Sequence, residues 1–304
     1  MSKKLVPYFL VATCLALAAC GNVSGQGVAV DSEGEPDITS VVAPTVDRDS
    51  YSNIHAVLNP EKQTIDTPLN KYVHDADERM TIARANYINL KKCATGKGYE
   101  LPHHFYQTEY RIEAPFGVWS NSFAEKYGYE INHTLGKVYV DEGYRGEDVP
   151  SEIQQTFETC LTEIADQEIP YFIKGVAMSA TAETAVLSEV SGQVTYLVQE
   201  DSDVKAAIQE WIQCLNDQGI QIDPQYEEPF PIIPDDKEAN IKQALVDVQC
   251  KKDVRLMERY YDAQAQYEQA LIEKNQAAFN TLAERKEAYL NQAKEVLQQN
   301  GITP

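Results

Sequence analysis

Six cysteines and five histidines are the side chains of this 304-residue chain best suited to covalent or metal chemistry. A thiol can carry a lipid, close a disulfide, bind zinc or attack a carbonyl, and spacing and compartment decide among these. Cys14, Cys20, Cys93, Cys160, Cys214 and Cys250 include no C-x-x-C pair of the kind structural zinc sites favour. His103, His104 and His133 match no established metal-site motif and read as loop or surface residues. The run Asp141-Glu142-Gly143-Tyr144-Arg145-Gly146-Glu147-Asp148 puts Gly143 and Arg145 where a calcium loop needs oxygen ligands, so it reads as a solvated turn. With no G-x-S-x-G, H-E-x-x-H or phosphate-binding loop, the expectation is no catalytic residue, no metal and no cofactor.

The N-terminus has the grammar of export. Lys3 and Lys4 precede an apolar run from Leu5 to Leu17, shorter than the roughly 20 residues that span a bilayer. The run closes in Leu17-Ala18-Ala19-Cys20, which resembles a bacterial lipobox. That resemblance implies a signal peptide over residues 1–19, a diacylglycerol on the Cys20 thiol, and a mature chain held at the extracytoplasmic face of the cell membrane. Removing the leader takes Lys3 and Lys4 and no acidic residue, so the formal charge moves from −21 to −23. Such an acidic surface argues against nucleic acid or anionic lipid as partner.

Cys93, Cys160, Cys214 and Cys250 then remain in an oxidising compartment, where four cysteines most simply mean two disulfides. Three pairings are possible, and zinc is the other reading. Cys93 with Cys160 and Cys214 with Cys250 is favoured because the chain reads as two successive units, residues 66–200 and 201–304, each stapled by one bond.

Residues 20–65 are rich in Gly and Pro and lack periodicity, which predicts a lipidated flexible tether. Asp75 and Glu78 form a capping box ahead of a helix through Ile82, Ala85, Ile88 and Ala94 that stops at Gly96–Gly98. Residues 99–150 mix aromatic residues with Gly and Pro; a short helix fits Asn121–Tyr127. Tyr110, Trp119 and Tyr129 in this stretch are candidates for a binding surface, although packing of a loop-rich layer is the simpler use of such rings. Ser151 and Gln154 cap a further helix, and spaced apolar residues predict helix over 179–200, with Val194–Val198 as an alternative strand, and helix again from Ser202 or Asp203 to Gly219. The pattern helix, Cys-x4-Gly, then Pro occurs twice, at Cys93 and at Cys214. From Glu238 to Gln299 there is neither Pro nor Gly, which predicts a long C-terminal helix of coiled-coil character, straight or folded back near Asn275. The fold class expected is mainly α: a helical bundle with an irregular aromatic-rich loop region, two disulfides and that long helix.

Taken together, the lipobox, Thr67-Pro68-Leu69-Asn70-Lys71-Tyr72, Cys93-x4-Gly98, Phe116-Gly117, Tyr127-Gly128-Tyr129, Trp211-x-x-Cys214-x4-Gly219 and Cys250 resemble a group of actinobacterial membrane lipoproteins of unassigned function. The chain departs from that pattern at Ala94 and Leu215, where methionine is common, and at Cys160, which lacks flanking glycines. The expected role is a non-catalytic accessory or scaffolding lipoprotein of an envelope transport complex, meeting a protein partner through the C-terminal helix. The competing class is a ligand-binding lipoprotein of a transporter, which needs alternating strands and helices not evident here.

Overall fold

Asp75 and Glu78 start the first long helix. Asp75 Oδ1 accepts from the Glu78 amide at 2.8 Å, and Glu78 Oε2 accepts from the Asp75 amide at 2.9 Å, so two otherwise orphaned donors are satisfied reciprocally. The computed structural model describes residues 44–99, 116–129, 151–174, 182–226 and 229–303. In it, α1 (Ala76–Gly96) buries Ile82, Ala85 and Ile88 on one side and Leu90 and Ala94 on another. The helix stops where Gly98 takes φ +88°, a conformation costly for any residue with a Cβ. Gly98 N donates to Thr95 O and Tyr99 N to Ala94 O, a Schellman closure in which Tyr99 packs back on the Leu90 side.

Helix α5 (Ser202–Asp217) ends the same way, with Gly219 at φ +77° and Ile220 N on Leu215 O. The repeated Cys-x4-Gly pattern therefore places one cysteine just ahead of each glycine-dependent stop. Between these helices come α2 (Asn121–Tyr127), α3 (Ser151–Glu163) and α4 (Ala182–Glu200). After them come α6 (Lys237–Asp253), α7 (Leu256–Lys274) and α8 (Gln276–Gln299). The Ser151 and Gln154 side chains lie outside the described residues. The fold is mainly helical and, among the described residues, carries one small antiparallel hairpin, β1 (Val57–Asn59) and β2 (Thr64–Asp66), with Leu58 opposite Ile65.

Three expectations need correction. The segment read as tether as far as residue 65 is folded from residue 44 onward. Arg48–Tyr51 forms a 3-10 turn, Arg48 Nε donates to Gln266 Oε1 at 2.6 Å and Arg48 Nη1 to Asp201 Oδ2 at 2.8 Å. These polar bonds hold a segment whose apolar content is too low to announce packing. Second, residues 66–200 and 201–304 are not separate units, because residues 43–304 form one compact body. Only Asp201 separates α4 from α5, and its carboxylate caps α5 by accepting from Asp203 N and Val204 N. The late helices close over the early ones: Ala293 and Leu297 of α8 pack with Ile82, Ala85 and Ile88 of α1, and Leu271 and Ile272 of α7 share a core with Leu187, Val190 and Val194 of α4.

Third, the long C-terminal stretch is three helices. It turns at Asn275, as the sequence allows, where Asn275 Nδ2 binds Leu271 O at 2.8 Å. It also breaks at Arg255, which adopts φ +54° without being glycine. Nothing local demands that break; burial of Leu256 and Met257 beside Trp211 and Cys250 compensates the strained backbone.

Candidate functional site

Cys20, Tyr110, His103, His104, His133 and the acidic run 141–148 lie outside the described residues. The other candidates are placed. Cys93 bonds Cys160 and Cys214 bonds Cys250, with Cα atoms 5.8 and 5.7 Å apart, the pairing expected from the two-unit reading even though the units themselves merge.

Trp119 and Tyr129 are buried and stand in different clusters. Trp119 packs with Phe116, Trp211 and Met257. Tyr129 lies against Val118, Ala244 and Val248, its hydroxyl 3.4 Å from Gln243 O and its amide on Asn240 Oδ1 at 2.8 Å. Burial raises the Tyr129 phenol well above the ordinary range for tyrosine. These two rings fill the interior and do not line a common surface. The apolar residues of the C-terminal stretch are likewise used within the chain: Phe279, Leu282, Ala293 and Leu297 of α8 are fully buried. What α8 presents outward is polar, including Glu284, Glu287, Asn291 and Glu295.

The most unusual electrostatic feature is one the sequence reading passed over. Helix α6 turns Asn240, Ala244, Asp247, Val248 and Lys251 inward, so the buried face of an ordinary-looking helix carries an ion pair. The Lys251 side chain is 1 % exposed and that of Asp247 0 %. Lys251 Nζ donates to Asp247 Oδ2 at 2.8 Å, to Val118 O at 2.8 Å and to Phe116 O, and sits 5.2 Å from the centroid of the Trp211 ring. Trp211 Nε1 donates to Asp247 Oδ1 at 2.7 Å.

Burial pulls the Lys251 pKa down while Asp247 pushes it back up. An ammonium has three N–H bonds, and each has an acceptor here. Lys251 is thereby a bracket joining α6 to the Phe116–Val118 segment. Its chemistry is positioning: it offers no free donor to a substrate. The available signal was Asp247-x-x-x-Lys251, the i, i+4 spacing that ordinarily marks a solvated pair.

A second buried polar site joins the N-terminal segment to the core. Asp201 receives Arg48 and, at 2.8 Å, the Tyr267 hydroxyl. Burial works against its charge, yet the bonds from Arg48, Tyr267 and the Val204 amide hold the carboxyl below its usual value. Tyr267 is pushed up to about 12 by burial and by Asp201. Glu268, also fully buried, takes the Leu69 amide at 2.9 Å and pairs with Lys174.

Among the described residues no group of three or more His, Cys, Asp or Glu is placed to hold a metal ion, and no helix is long and apolar enough to cross a membrane. No family model, curated protein or solved structure matches the chain.

Proposed function

We propose that the protein is a lipid-anchored, non-catalytic accessory or scaffolding protein at the extracytoplasmic face of the cell membrane, attached to an envelope transport complex. The observation that carries this reading is Leu17-Ala18-Ala19-Cys20 at the end of an apolar leader, followed by a domain whose four other cysteines meet in pairs. Paired thiols persist outside the reducing cytoplasm, which supports export, and a diacylated cysteine is a stable anchor. The inward-facing Trp119 and Tyr129 favour packing over ligand capture. The polar outer face of α8 is the surface assigned to the partner, which would meet charged and amide groups there.

Cys20→Ser separates the parts of this reading. With the anchor, the substitution abolishes fatty-acid labelling and moves the protein out of the membrane fraction; continued labelling contradicts it. Crosslinking and recovery of the wild-type lipoprotein from native membranes tests the scaffold. Recovery of the lipoprotein alone, at native levels, removes the partner and leaves the anchor standing.

A further inference from the structure

The non-helical strap Glu168–Lys174, between α3 and α4, is tied by its main chain to side chains of other elements. Ile169 N donates to Asn86 Oδ1 at 2.9 Å and Ile169 O accepts from Asn86 Nδ2 at 3.0 Å. Three residues on, Phe172 N donates to His74 Nδ1 at 2.9 Å while Phe172 O accepts from the His74 amide at 3.0 Å. His74 Nε2 lies 3.1 Å from Lys286 O on α8, and the residue is 0 % exposed. One imidazole thus joins the approach to α1, the strap and α8.

These partners admit one protonation state. A ring nitrogen that accepts a main-chain N–H carries no proton, so the proton is on Nε2, donated to Lys286 O. A second proton on Nδ1 sets N–H against N–H inside the core and removes the bond to Phe172. Around the ring stand Glu78 and Arg79 from α1, Lys286 from α8, the neighbouring Asp75, and the Phe172 ring of the strap with centroids 5.6 Å apart. Glu78 is taken by Lys286 Nζ at 3.1 Å and Asp75 caps α1, which leaves Arg79, bound to His74 O at 2.8 Å, as a charge opposing protonation. Burial first, then Lys286 and Arg79, hold the His74 pKa below 6.5 against the Lys286 carbonyl and Glu78.

We propose that His74 is an acid-sensitive clasp: protonation of Nδ1 breaks its bond to the Phe172 amide and releases the Glu168–Lys174 strap from the approach to α1 in mildly acidic surroundings, while the Nε2–H bond to Lys286 O on α8 is kept. The direction follows from linkage. The unfolded or released histidine titrates near 6.5 and the clasped one lower, so the clasp is at full strength above pH 6.5 and weakens as pH falls through the folded value.

Amide exchange of the full chain, corrected for intrinsic rates, reads this directly at about pH 7.5 and about pH 5.5. Opening of the strap rises in the wild type by up to tenfold per pH unit, the limit for one proton. His74→Asn keeps an oxygen for the Phe172 amide and cannot titrate, and its strap opening stays flat over the same interval. Equal pH response in the two proteins overturns the clasp. Should the variant not fold, the ring titration of wild-type His74 by NMR decides alone: a midpoint below 6.5 supports the clasp, and one at or above 6.5 overturns it.

Discussion

The two disulfide-bonded regions share a local design and differ in what surrounds it. Cys93 and Cys214 each precede a Schellman stop, and each bonds a cysteine that is nearly inaccessible, Cys160 and Cys250. Around Cys214–Cys250 lie Trp211, Phe116, Leu256 and Met257, with Asp247 and Lys251 flanking Cys250 on α6. Among the described residues, those packed around Cys93–Cys160 are Leu90, Ala94 and a few partly buried residues; Phe157 and Leu161 on the same helix α3 are 38 % and 48 % exposed. A duplicated local signal therefore marks one bond inside the core and one that fastens a peripheral helix, and local pattern does not carry energetic weight by itself.

The largest effect expected is at Lys251. Lys251→Met strips Asp247 of its counter-charge and leaves two buried carbonyls without a donor, which predicts a loss of about 3–5 kcal/mol in chemical denaturation. Adding Asp247→Leu restores only part of this, because Trp211 Nε1 then also lacks a partner.

Next come the disulfides, each worth about 2–5 kcal/mol when replaced by alanine pairs. Loop length favours Cys93–Cys160, which encloses 67 residues against 36, by roughly 0.6 kcal/mol in the chain-entropy model. The surroundings predict a difference in kind: loss of Cys93–Cys160 removes amide protection mainly from α3, whereas loss of Cys214–Cys250 lowers protection across α5, α6 and α7. Uniform loss in both variants would erase the distinction drawn between the two regions.

A smaller change tests the seating of α2 on α6. A Cβ at Gly128, which has φ +61°, would overlap Asn240 Oδ1 and crowd Ile241 N at 3.3 Å, so Gly128→Ala costs about 1–3 kcal/mol, read as a lowered melting temperature. The smallest effect belongs to the rim of the peripheral bond, where Lys97 and Glu163 pair at 2.9 Å in contact with solvent. Lys97→Ala changes stability by less than about 1 kcal/mol, and less still at high salt.

Features that depend on a few neighbouring residues were legible in the sequence. The Asp75–Glu78 box and the glycine stops follow from capping rules and spacing, whereas the cysteine pairing, though met, was favoured on a division into two units that the fold does not keep. What escaped depends on partners distant in the chain. Asp247–Lys251 and Gln249–Asp253 are both i, i+4 polar pairs on α6, yet one is buried and the other exposed. Only the arrival of Trp211 and of the Phe116 and Val118 carbonyls distinguishes them. The kink at Arg255 is equally silent, since its cause is the burial of Leu256 and Met257 rather than a helix breaker. Tyr129 and Trp119 were visible as aromatic residues, but the sequence could not divide them between two interior clusters.

The contact of Arg48 with Asp201 and Gln266 has a mechanical consequence. Any tension applied through the N-terminal chain enters the folded body between residues 44 and 48, where Val46 packs against the core and Arg48 binds Asp201 and Gln266. It is delivered to the α4–α5 junction and to α7, near the centre of the sequence of helices, before it can reach α1. A pull on that segment loads a part-buried ion pair in which Asp201 also caps α5 and receives Tyr267. The first element to yield under load is then this junction, and α1, the next helix in sequence, is shielded by it.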